Sequence, residues 1–387
     1  MSGKEKGTAL KATIVILIAL TGILLTAEFS IRLLEKSGIY PQFFEVFGNP
    51  KPPLNKRTGP GMFYAHPYTA YAMKPGYTRA NIERINSLGF RGEEISLIKP
   101  DDIYRIVAIG GSTTFAVYLP WNQSYPYLLQ QELRNRFGTD KIEVINAGLT
   151  GSTSAESFHR LPTQVLPLKP DMVVIYHAFN DLLPRIFNDY QEDYYHFRRS
   201  DPNNPPGMTQ SYLYRLALRV LSPGMFHENY NLAAQVWKIE NLPLTDTERM
   251  QNFLSSTNDA FKSNIENMII LLEGKGIDVV LASFALNYNT WNWLDTLPPY
   301  AWKSGIKANN IAISELAEEY SLPMVPFAAA PFIEGSVNFG TRMFPDSIHM
   351  SPEGNQFKAE IFADTIAPII AHDLGIPVPE PSEYTAE

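Results

Sequence analysis

The sequence predicts an α/β protein in which a five-stranded parallel sheet lies between two layers of helices, a three-layer α/β/α sandwich. Short apolar runs alternate along the chain with longer segments of helical spacing, the pattern of repeated strand–helix units. The runs are apolar at almost every position, as expected for parallel strands that helices cover on both faces. A long apolar segment near the N-terminus predicts one further helix outside this sandwich.

Each apolar run is predicted to be one strand, and turn residues follow most of them. The predicted strands cover residues 104–109, 142–145, 171–176, 278–282 and 324–327. The predicted helices cover residues 127–137, 154–166, 253–272, 309–320 and 354–371. Ligands of open α/β sheets bind at the carboxyl ends of the strands. Functional side chains are therefore expected directly after the strands.

Composition narrows the class of protein. Of the 387 residues, 45% are apolar and 19% are charged, a balance typical of a folded chain with a sizeable core. The formal net charge of -8 disfavours a nucleic acid partner, because phosphate binding needs a basic surface. The absence of cysteine excludes disulfides, thiolate metal sites and a cysteine nucleophile. Motifs for nucleotide cofactors and zinc proteases are also missing, so neither a cofactor nor a metal is expected.

Residues 12–34 are predicted to form a transmembrane signal-anchor helix. Residues 12–27 are uncharged, and thinner apolar character continues to the end of the segment. Three preceding lysines place residues 1–11 in the cytoplasm, and the rest of the chain outside it, in the periplasm or at the cell surface if the protein is bacterial. A cleaved signal peptide and a buried helix are the alternatives. Leu25 disfavours cleavage, because that position of the cleavage pattern needs a small residue.

The remaining chain divides by composition. Residues 35–100 are rich in Pro, Gly and aromatic side chains and are expected to form a stalk and lead-in, with no helix or strand over 39–77. The core domain is expected over 101–375. Residues 183–245 interrupt it with an aromatic-rich insertion, which is either a lid over the site or a packing cluster at the sheet edge. Residues 376–387 are expected to be a disordered tail.

Ser112 directly follows the first predicted strand and is expected to open a helix. At such a junction a hydroxyl is exposed beside unpaired backbone N–H groups, which suits a nucleophile. Serine is also common there as a simple N-cap. On local grounds alone, the N-cap is the better interpretation.

Asp346 and His349 change this balance. They lie three residues apart in a predicted loop, where the carboxylate can hold one ring nitrogen and leave the other as a general base. Gly148 and Asn180 follow the second and third strands and offer a backbone N–H and a side-chain NH2. Together with the N–H of Ser112 they predict an oxyanion hole at the same edge of the sheet. Read singly, both are ordinary turn residues.

These segments together resemble the SGNH (GDSL-type) hydrolase superfamily, whose four sequence blocks occur here in order. The blocks are residues 109–114 with Ser112, 146–148 with Gly148, 178–181 with Asn180, and 346–349 with Asp346 and His349. The resemblance covers roughly residues 104–371 and implies a flavodoxin-like fold with Ser112 as nucleophile. Residues 86–92 also resemble a lead-in of bacterial, membrane-tethered members.

Two positions depart from the usual pattern of that superfamily. Gly111 stands where Asp usually precedes the nucleophile, and Ala178 stands where Gly is usual. The additional methyl group of Ala178 would narrow the pocket or shift Asn180. The α/β-hydrolases share the order Ser, Asp, His, but Thr114 takes the place of the second Gly of their G-x-S-x-G motif.

The resemblance implies a membrane-tethered serine esterase that hydrolyses acyl esters of an extracytoplasmic glycan or lipid without a cofactor. The same residues would serve an O-acyltransferase that modifies an envelope polysaccharide, and the sequence leaves both open. A non-catalytic membrane-tethered scaffold is the alternative of another class. The expected partners are therefore an ester substrate and a membrane, and no nucleic acid.

Overall fold

The computed structural model describes residues 3–36, 62–66, 69–79, 82–198, 211, 213, 244–287, 297–329 and 342–380. The chain divides into two compact units. The first comprises Met1–Lys56 and Ser200–Gln235, and the second comprises Arg57–Arg199 and Val236–Glu387. The predicted α/β sandwich lies in the second unit.

The described part of the first unit is dominated by the long helix α1 (Gly3–Lys36). Its segment Leu10–Leu33 is long and apolar enough to cross a membrane, as anchors and signal sequences both are. Apolar side chains along it are exposed, for example Ile18 at 66%. The predicted span over residues 12–34 thus lies inside a longer helix.

Two short antiparallel hairpins precede the sheet in the second unit. Strand β1 (Phe63–His66) pairs with β2 (Ala70–Met73), and β3 (Thr78–Arg79) pairs with β4 (Glu83–Arg84). The expectation of no strand over 39–77 is therefore wrong for the described part of that segment. Strands of two to four residues are too short to show a period in sequence.

The main sheet has five parallel strands, as the sequence predicts. They are β5 (Tyr104–Gly110), β6 (Ile142–Gly148), β7 (Met172–Tyr176), β8 (Asp278–Ala282) and β9 (Met324–Val325). Their order across the sheet is β6-β5-β7-β8-β9. In register, Gly110 at the end of β5 lies opposite Gly148 on one side and Tyr176 on the other. Three strand ends therefore meet at one point of the carboxyl edge.

Helices cover both faces of this sheet. Among the described residues of the second unit, the helices are α2 (Ser112–Phe115), α3 (Tyr125–Phe137), α4 (Ser154–Arg160), α5 (Tyr195–Arg198), α6 (Asp246–Ser255), α7 (Asp259–Glu273), α8 (Pro299–Glu319) and α9 (Pro352–Leu374). Alternate residues of β5 enter different cores. Ile106 packs in the core formed with α3 and α9, and Val107 in the core formed with α7 and α8. The result is the predicted three-layer sandwich.

One predicted helix, residues 253–272, is in fact two. Helix α6 ends before Ser256, and α7 begins at Asp259. The buried guanidinium of Arg185 donates to the carbonyl oxygens of Phe253 at 3.0 Å and Ser256 at 2.8 Å, which satisfies the end of α6. Because Arg185 is far from this break in sequence, the apolar pattern of residues 253–272 does not reveal that the helix is interrupted.

Other helix boundaries also differ from the prediction. Helix α8 starts at Pro299, ten residues before the predicted start, because Pro is favourable at the first helical position. Helix α4 stops at Arg160 and continues as a π-helical turn, Leu161–Val165, that contains a proline.

Parts of the insertion and of the tail lie outside the described residues. Of the insertion predicted over 183–245, the structure describes 183–198, 211, 213 and 244–245, so most of it lies outside. Residues 376–380 of the predicted tail have neither helix nor strand, and 381–387 lie outside the described residues. The choice between lid and packing cluster for the insertion stays a prediction.

A lysine lies in the core beside the sheet. Lys358 of α9 is 1% exposed, and its Nζ lies 3.4 Å from the ring centroid of Tyr176 and 3.9 Å from that of Tyr125. The rings of Phe327 and Phe362 lie 5.3 Å away. Burial lowers the pKa of Lys358 well below its usual value.

Candidate active site

Ser112 lies at the carboxyl end of β5, as the first residue of α2, and is 2% exposed. The turn into this helix is tight. A Cβ atom at Gly110 would lie 2.7 Å from the carbonyl oxygen of Tyr176 and 2.0 Å from Oγ1 of Thr114, so only glycine fits there. The N–H of Ser112 is at the start of the helix and has no acceptor within it.

The loop before α9 brings His349 and Asp346 to Ser112. Nδ1 of His349 lies 2.7 Å from Oδ2 of Asp346, and Nε2 lies 2.8 Å from Oγ of Ser112. Since an ionised carboxylate can only accept, Nδ1 bears the ring proton and Nε2 accepts from the hydroxyl. The three residues that the sequence indicated are joined by one chain of hydrogen bonds.

The Asp346 carboxylate is fixed by its own loop. Oδ1 accepts from the backbone N–H groups of Ile348 at 2.9 Å and His349 at 2.7 Å. Burial alone would raise the pKa of Asp346, but His349 and the backbone hydrogen bonds outweigh burial and hold that pKa below its usual value. Asp346 is therefore ionised at neutral pH, as it must be to orient the imidazole.

Tyr118 is a neighbour of His349 that the sequence did not indicate. The two ring centroids are 5.1 Å apart at an interplanar angle of 73°, an edge-to-face contact. Tyr118 lies in the segment after α2 with a φ of 86°, and Ala116 two positions earlier has a φ of 59°. Left-handed backbone is uncommon for residues other than glycine and points to a constrained segment.

Asn180 opens a short 3-10 turn, Asn180–Leu182, soon after β7 and is 6% exposed. One N–H of its side-chain amide donates to the carbonyl oxygen of Ser152 at 2.8 Å. Its Nδ2 also lies 2.6 Å from the position that a Cβ atom at Gly111 would take. The amide NH2, which has a second N–H to donate, therefore lies beside the backbone that leads into Ser112.

Gly148 does not offer its N–H as the sequence predicts. That N–H donates to Oδ1 of Asn146 at 3.0 Å. A Cβ atom at Gly148 would lie 2.3 Å from the backbone nitrogen of Phe115, so the glycine is needed for α2 to pack against β6. The structure thus gives Gly148 a packing reason that a glycine following a strand does not reveal in sequence.

A second glycine, Gly151, lies in the turn beyond β6 and was not singled out from the sequence. The turn is closed by a hydrogen bond from the N–H of Ser152 to the carbonyl oxygen of Leu149 at 3.0 Å, and Gly151 has a φ of 76°. The adjacent carbonyl group of Ser152 is the acceptor for Asn180. In the sequence, the second glycine three residues after Gly148 was the feature that could have indicated this turn.

Asp181, the residue after Asn180, is hydrogen-bonded to the start of α4. Its carboxylate accepts from the backbone N–H of Ser154 at 3.0 Å and also from the Ser154 hydroxyl, and it is hydrogen-bonded to Tyr194. Asp181 is 1% exposed. Burial, which outweighs these hydrogen bonds, raises the pKa of Asp181 to about 7.

The residues that converge here suit acyl transfer. They bring together a hydroxyl, an imidazole, a carboxylate and an amide donor, the groups that acyl transfer through a serine uses. Within the described ranges, no group of three or more His, Cys, Asp or Glu side chains is placed to hold a metal ion.

Residues 108–357 match the GDSL-like lipase/acylhydrolase family. The matched region is more than half of the chain, and it contains Ser112, Asn180, Asp346 and His349. No curated protein sequence matches the chain.

Several solved structures are similar to the chain at low identity. A lipolytic protein of the G-D-S-L family from Desulfitobacterium hafniense is 18% identical with a TM-score of 0.41, covering 68% of this chain and 99% of that chain. A GDSL-like lipase from Parabacteroides merdae is 12% identical with a TM-score of 0.45, covering 70% and 98%. A catalytic mutant of the acetylxylan esterase Axe2 from Geobacillus stearothermophilus is 14% identical with a TM-score of 0.43, covering 73% and 99%.

The five parallel strands and their two helical layers agree with the SGNH fold that the sequence blocks implied. The extent of the family match decides the assignment. The chain belongs to the GDSL-like lipase/acylhydrolase family and is an ester-hydrolysing enzyme.

Proposed function

We propose that the protein is a serine esterase in which Ser112 is the nucleophile, His349 the general base and Asp346 the acid that orients it. The observation that supports this is the unbroken chain of hydrogen bonds, 2.8 Å from Ser112 Oγ to His349 Nε2 and 2.7 Å from His349 Nδ1 to Asp346 Oδ2. These lengths lie within the range from which a proton can be transferred.

In the first half of the reaction, Nε2 of His349 accepts the hydroxyl proton as Oγ of Ser112 bonds to the ester carbonyl carbon. The bond to the leaving alcohol then breaks, and His349 returns the proton to the alcohol oxygen. In the second half, water loses a proton to His349 and attacks the acyl-enzyme, which releases the carboxylic acid and restores Ser112. Asp346 stays ionised throughout and stabilises the imidazolium.

The oxyanion of each tetrahedral intermediate needs donors already in place. The N–H of Ser112, at the start of a helix, and the second N–H of Asn180 are two of them. Gly148 does not add a third, because its N–H donates to Oδ1 of Asn146. Loss of one such donor typically lowers turnover about 10²–10³-fold.

The enzyme is anchored by residues 12–34, with the catalytic unit outside the cytoplasm and an acylated glycan or lipid of the cell envelope as substrate. The apolar segment Leu10–Leu33 and the lysines before it support this orientation. An anchored enzyme acts on esters held at the same membrane surface, which favours envelope components over freely diffusing esters.

The catalytic assignment is tested with the full-length chain in detergent and a fluorophosphonate probe, which labels activated serines covalently. Wild type is expected to label and to hydrolyse p-nitrophenyl acetate, and Ser112→Ala is expected to do neither. Ser152→Ala is the matched control, because Ser152 is also buried near Asn180 but has no imidazole partner within the described residues. Labelling that persists in Ser112→Ala would contradict the assignment.

Substrate and orientation need separate measurements. Rates with acetylated oligosaccharides and with long-chain acyl esters show whether the enzyme prefers short or long acyl groups. Each ester is also offered with a glycan acceptor, and an acylated acceptor among the products distinguishes transfer from hydrolysis. Protease added to sealed, oriented membrane vesicles tests the topology. In right-side-out vesicles, external protease is expected to digest the catalytic unit. A catalytic unit that is protected there would contradict the proposed orientation without affecting the assignment of Ser112.

A further inference from the structure

We propose that Arg91 is a positioning residue for His349, acting through the segment that holds Tyr118 against the imidazole. Arg91 lies in the lead-in before the sheet, outside residues 108–357 that match the family. The proposal rests on the role of His349 as general base. It makes the lead-in a working part of the active site and gives it a role besides that of a spacer to the membrane.

Arg91 is in contact with both ends of the segment that follows Ser112. Its guanidinium lies 3.9 Å from the ring centroid of Phe115, the last residue of α2, and Nη2 donates to the carbonyl oxygen of Leu119. Its backbone N–H donates to the carbonyl oxygen of Asn146 in β6 at 3.1 Å. Arg91 therefore links the central sheet to the residues on either side of Tyr118.

The lead-in around Arg91 is itself well ordered by local hydrogen bonds. Oδ1 of Asn86 accepts from the backbone N–H groups of Leu88 at 3.0 Å and Phe90 at 2.9 Å, which shapes the turn that presents Arg91. The carbonyl oxygen of Ile82 accepts from the N–H of Trp121 at 3.0 Å. The lead-in thus contacts the segment after α2 at a second point, just beyond Tyr118.

The segment held in this way is strained. Ala116 and Tyr118 have φ values of 59° and 86°, a conformation that residues with a Cβ atom adopt only when their surroundings enforce it. Such strain concentrates at functional sites. Here it places the Tyr118 ring edge-on to His349, with ring centroids 5.1 Å apart.

Packing alone does not explain an arginine at this position. Arg91 is 4% exposed, and its Nε and Nη1 have no hydrogen-bond partner among the described residues. Glu83, the carboxylate that interacts with it electrostatically, makes no ion pair with Arg91 within the described part of the chain. A methionine would fill the space without burying a charge. The contacts that distinguish arginine from methionine are the hydrogen bonds from Nη2 to the carbonyl oxygens of Leu119 and, at 3.4 Å, Ile82, together with the cation–π contact with Phe115.

The test compares Arg91→Met, Arg91→Lys and Tyr118→Leu with wild type in the full-length chain. Arg91→Met is expected to lower kcat for p-nitrophenyl acetate about 10- to 100-fold, the loss typical of a misplaced catalytic group, with KM nearly unchanged. The acidic limb of kcat/KM against pH, which reports protonation of the base, is expected to shift. Arg91→Lys, which retains a donor, is expected to recover part of the loss.

A double variant tests whether Arg91 acts through Tyr118. If it does, Arg91→Met combined with Tyr118→Leu loses no more activity than the stronger single variant. If the fold-loss of kcat in the double variant equals the product of the two single fold-losses, Arg91 does not act through Tyr118. Lys74→Met is the control, because Lys74 also lies in the lead-in and is exposed. It is expected to keep wild-type kcat and pH profile.

Folding and chemistry are separated by two further measurements. Thermal melting shows whether each variant is folded. If Arg91→Met is not, Arg91→Lys takes its place, and a kcat equal to wild type in that variant overturns the proposal. A folded Arg91→Met with wild-type kcat and pH profile overturns the proposal. Failure of the proposed function looks different, because wild type itself would then show no Ser112-dependent labelling by the fluorophosphonate probe.

Discussion

The side-chain amide of Asn180 occupies space that any side chain at Gly111 would need, since its Nδ2 lies 2.6 Å from the place of a Cβ atom there. Aspartate is usual at this position in the sequences that the first block resembles. In this structure Gly111 leaves room for the Asn180 amide to approach the backbone before Ser112.

Gly111→Ala is expected to lower kcat about 10²–10³-fold, as loss of one oxyanion donor does, because the methyl group displaces Asn180. The measurement is kcat with p-nitrophenyl acetate beside a thermal melt, which shows that the variant is folded. Overpacking of this kind also costs roughly 1–3 kcal/mol of stability.

A double variant shows whether Gly111→Ala acts through Asn180. Combined with Asn180→Ala, it is expected to lose no more turnover than Asn180→Ala alone, because the displaced amide is already gone. Losses that multiply would mean that the methyl group disturbs Ser112 directly.

Asp346→Asn is expected to lower kcat on the order of 10⁴-fold with little effect on folding. An amide at this position can donate to Nδ1, which moves the ring proton to Nε2 and removes the acceptor for the Ser112 hydroxyl. The measurement is the rate of fluorophosphonate labelling and of ester hydrolysis. Asp246→Asn, whose carboxylate is 83% exposed, is the control and should match wild type.

Asp181→Asn is expected to change how stability depends on pH. The pKa of Asp181 in the folded protein, about 7, exceeds the value of about 3.9 in an unfolded chain, so the folded state binds the additional proton. The stability that this proton contributes is complete below pH 4 and is lost as pH rises through 7. Relative to the variant, wild type should lose a few kcal/mol over that range.

The measurement for Asp181 is the free energy of unfolding of both proteins between pH 4 and 8. Groups common to both, such as Asp278 with its pKa raised to about 6, cancel in the difference. A difference that stays constant with pH would show that Asp181 is ionised in the folded protein throughout.

Lys358→Met is expected to raise stability by roughly 1–4 kcal/mol at neutral pH, as replacing buried charges with apolar groups often does. The pKa of Lys358 is lowered by burial, so the folded state binds fewer protons and the lysine destabilises increasingly as pH falls below about 10. The gain should therefore shrink as pH rises toward 10.

Chemical denaturation at several pH values measures the effect of Lys358→Met. Lys262→Met is the control, because Lys262 is exposed and its ion pair with Glu315 contributes about 0–1 kcal/mol. A less stable Lys358→Met would show that the four surrounding rings stabilise the ammonium group more than burial disfavours it.

The sheet could be predicted because strands buried on both faces are continuous apolar runs, and β5, β7 and β8 were located to within a residue or two. The contact of Ser112 with His349 could be anticipated because strand ends meet at one edge.

Several residues at or near the site could not be predicted from the sequence, because their positions depend on contacts with residues distant along the chain. The conformation of Tyr118 is left-handed without glycine, so no turn signal marks it. Arg91 and Tyr194 are hydrogen-bonded to partners far along the chain, the Leu119 carbonyl and Asp181. Gly148 was assigned a free N–H because a glycine after a strand suggests a turn, and the competing acceptor, Asn146, only becomes evident when the side chains are placed.

The Ser112–His349 hydrogen bond joins residues 237 positions apart. During synthesis Ser112 emerges early, and His349 emerges only shortly before α9. Contacts of such separation form late, since the intervening loop must close first. Under the proposed mechanism, unfinished chains therefore contain an inert serine, and esterase activity begins only when α9 docks onto the sheet.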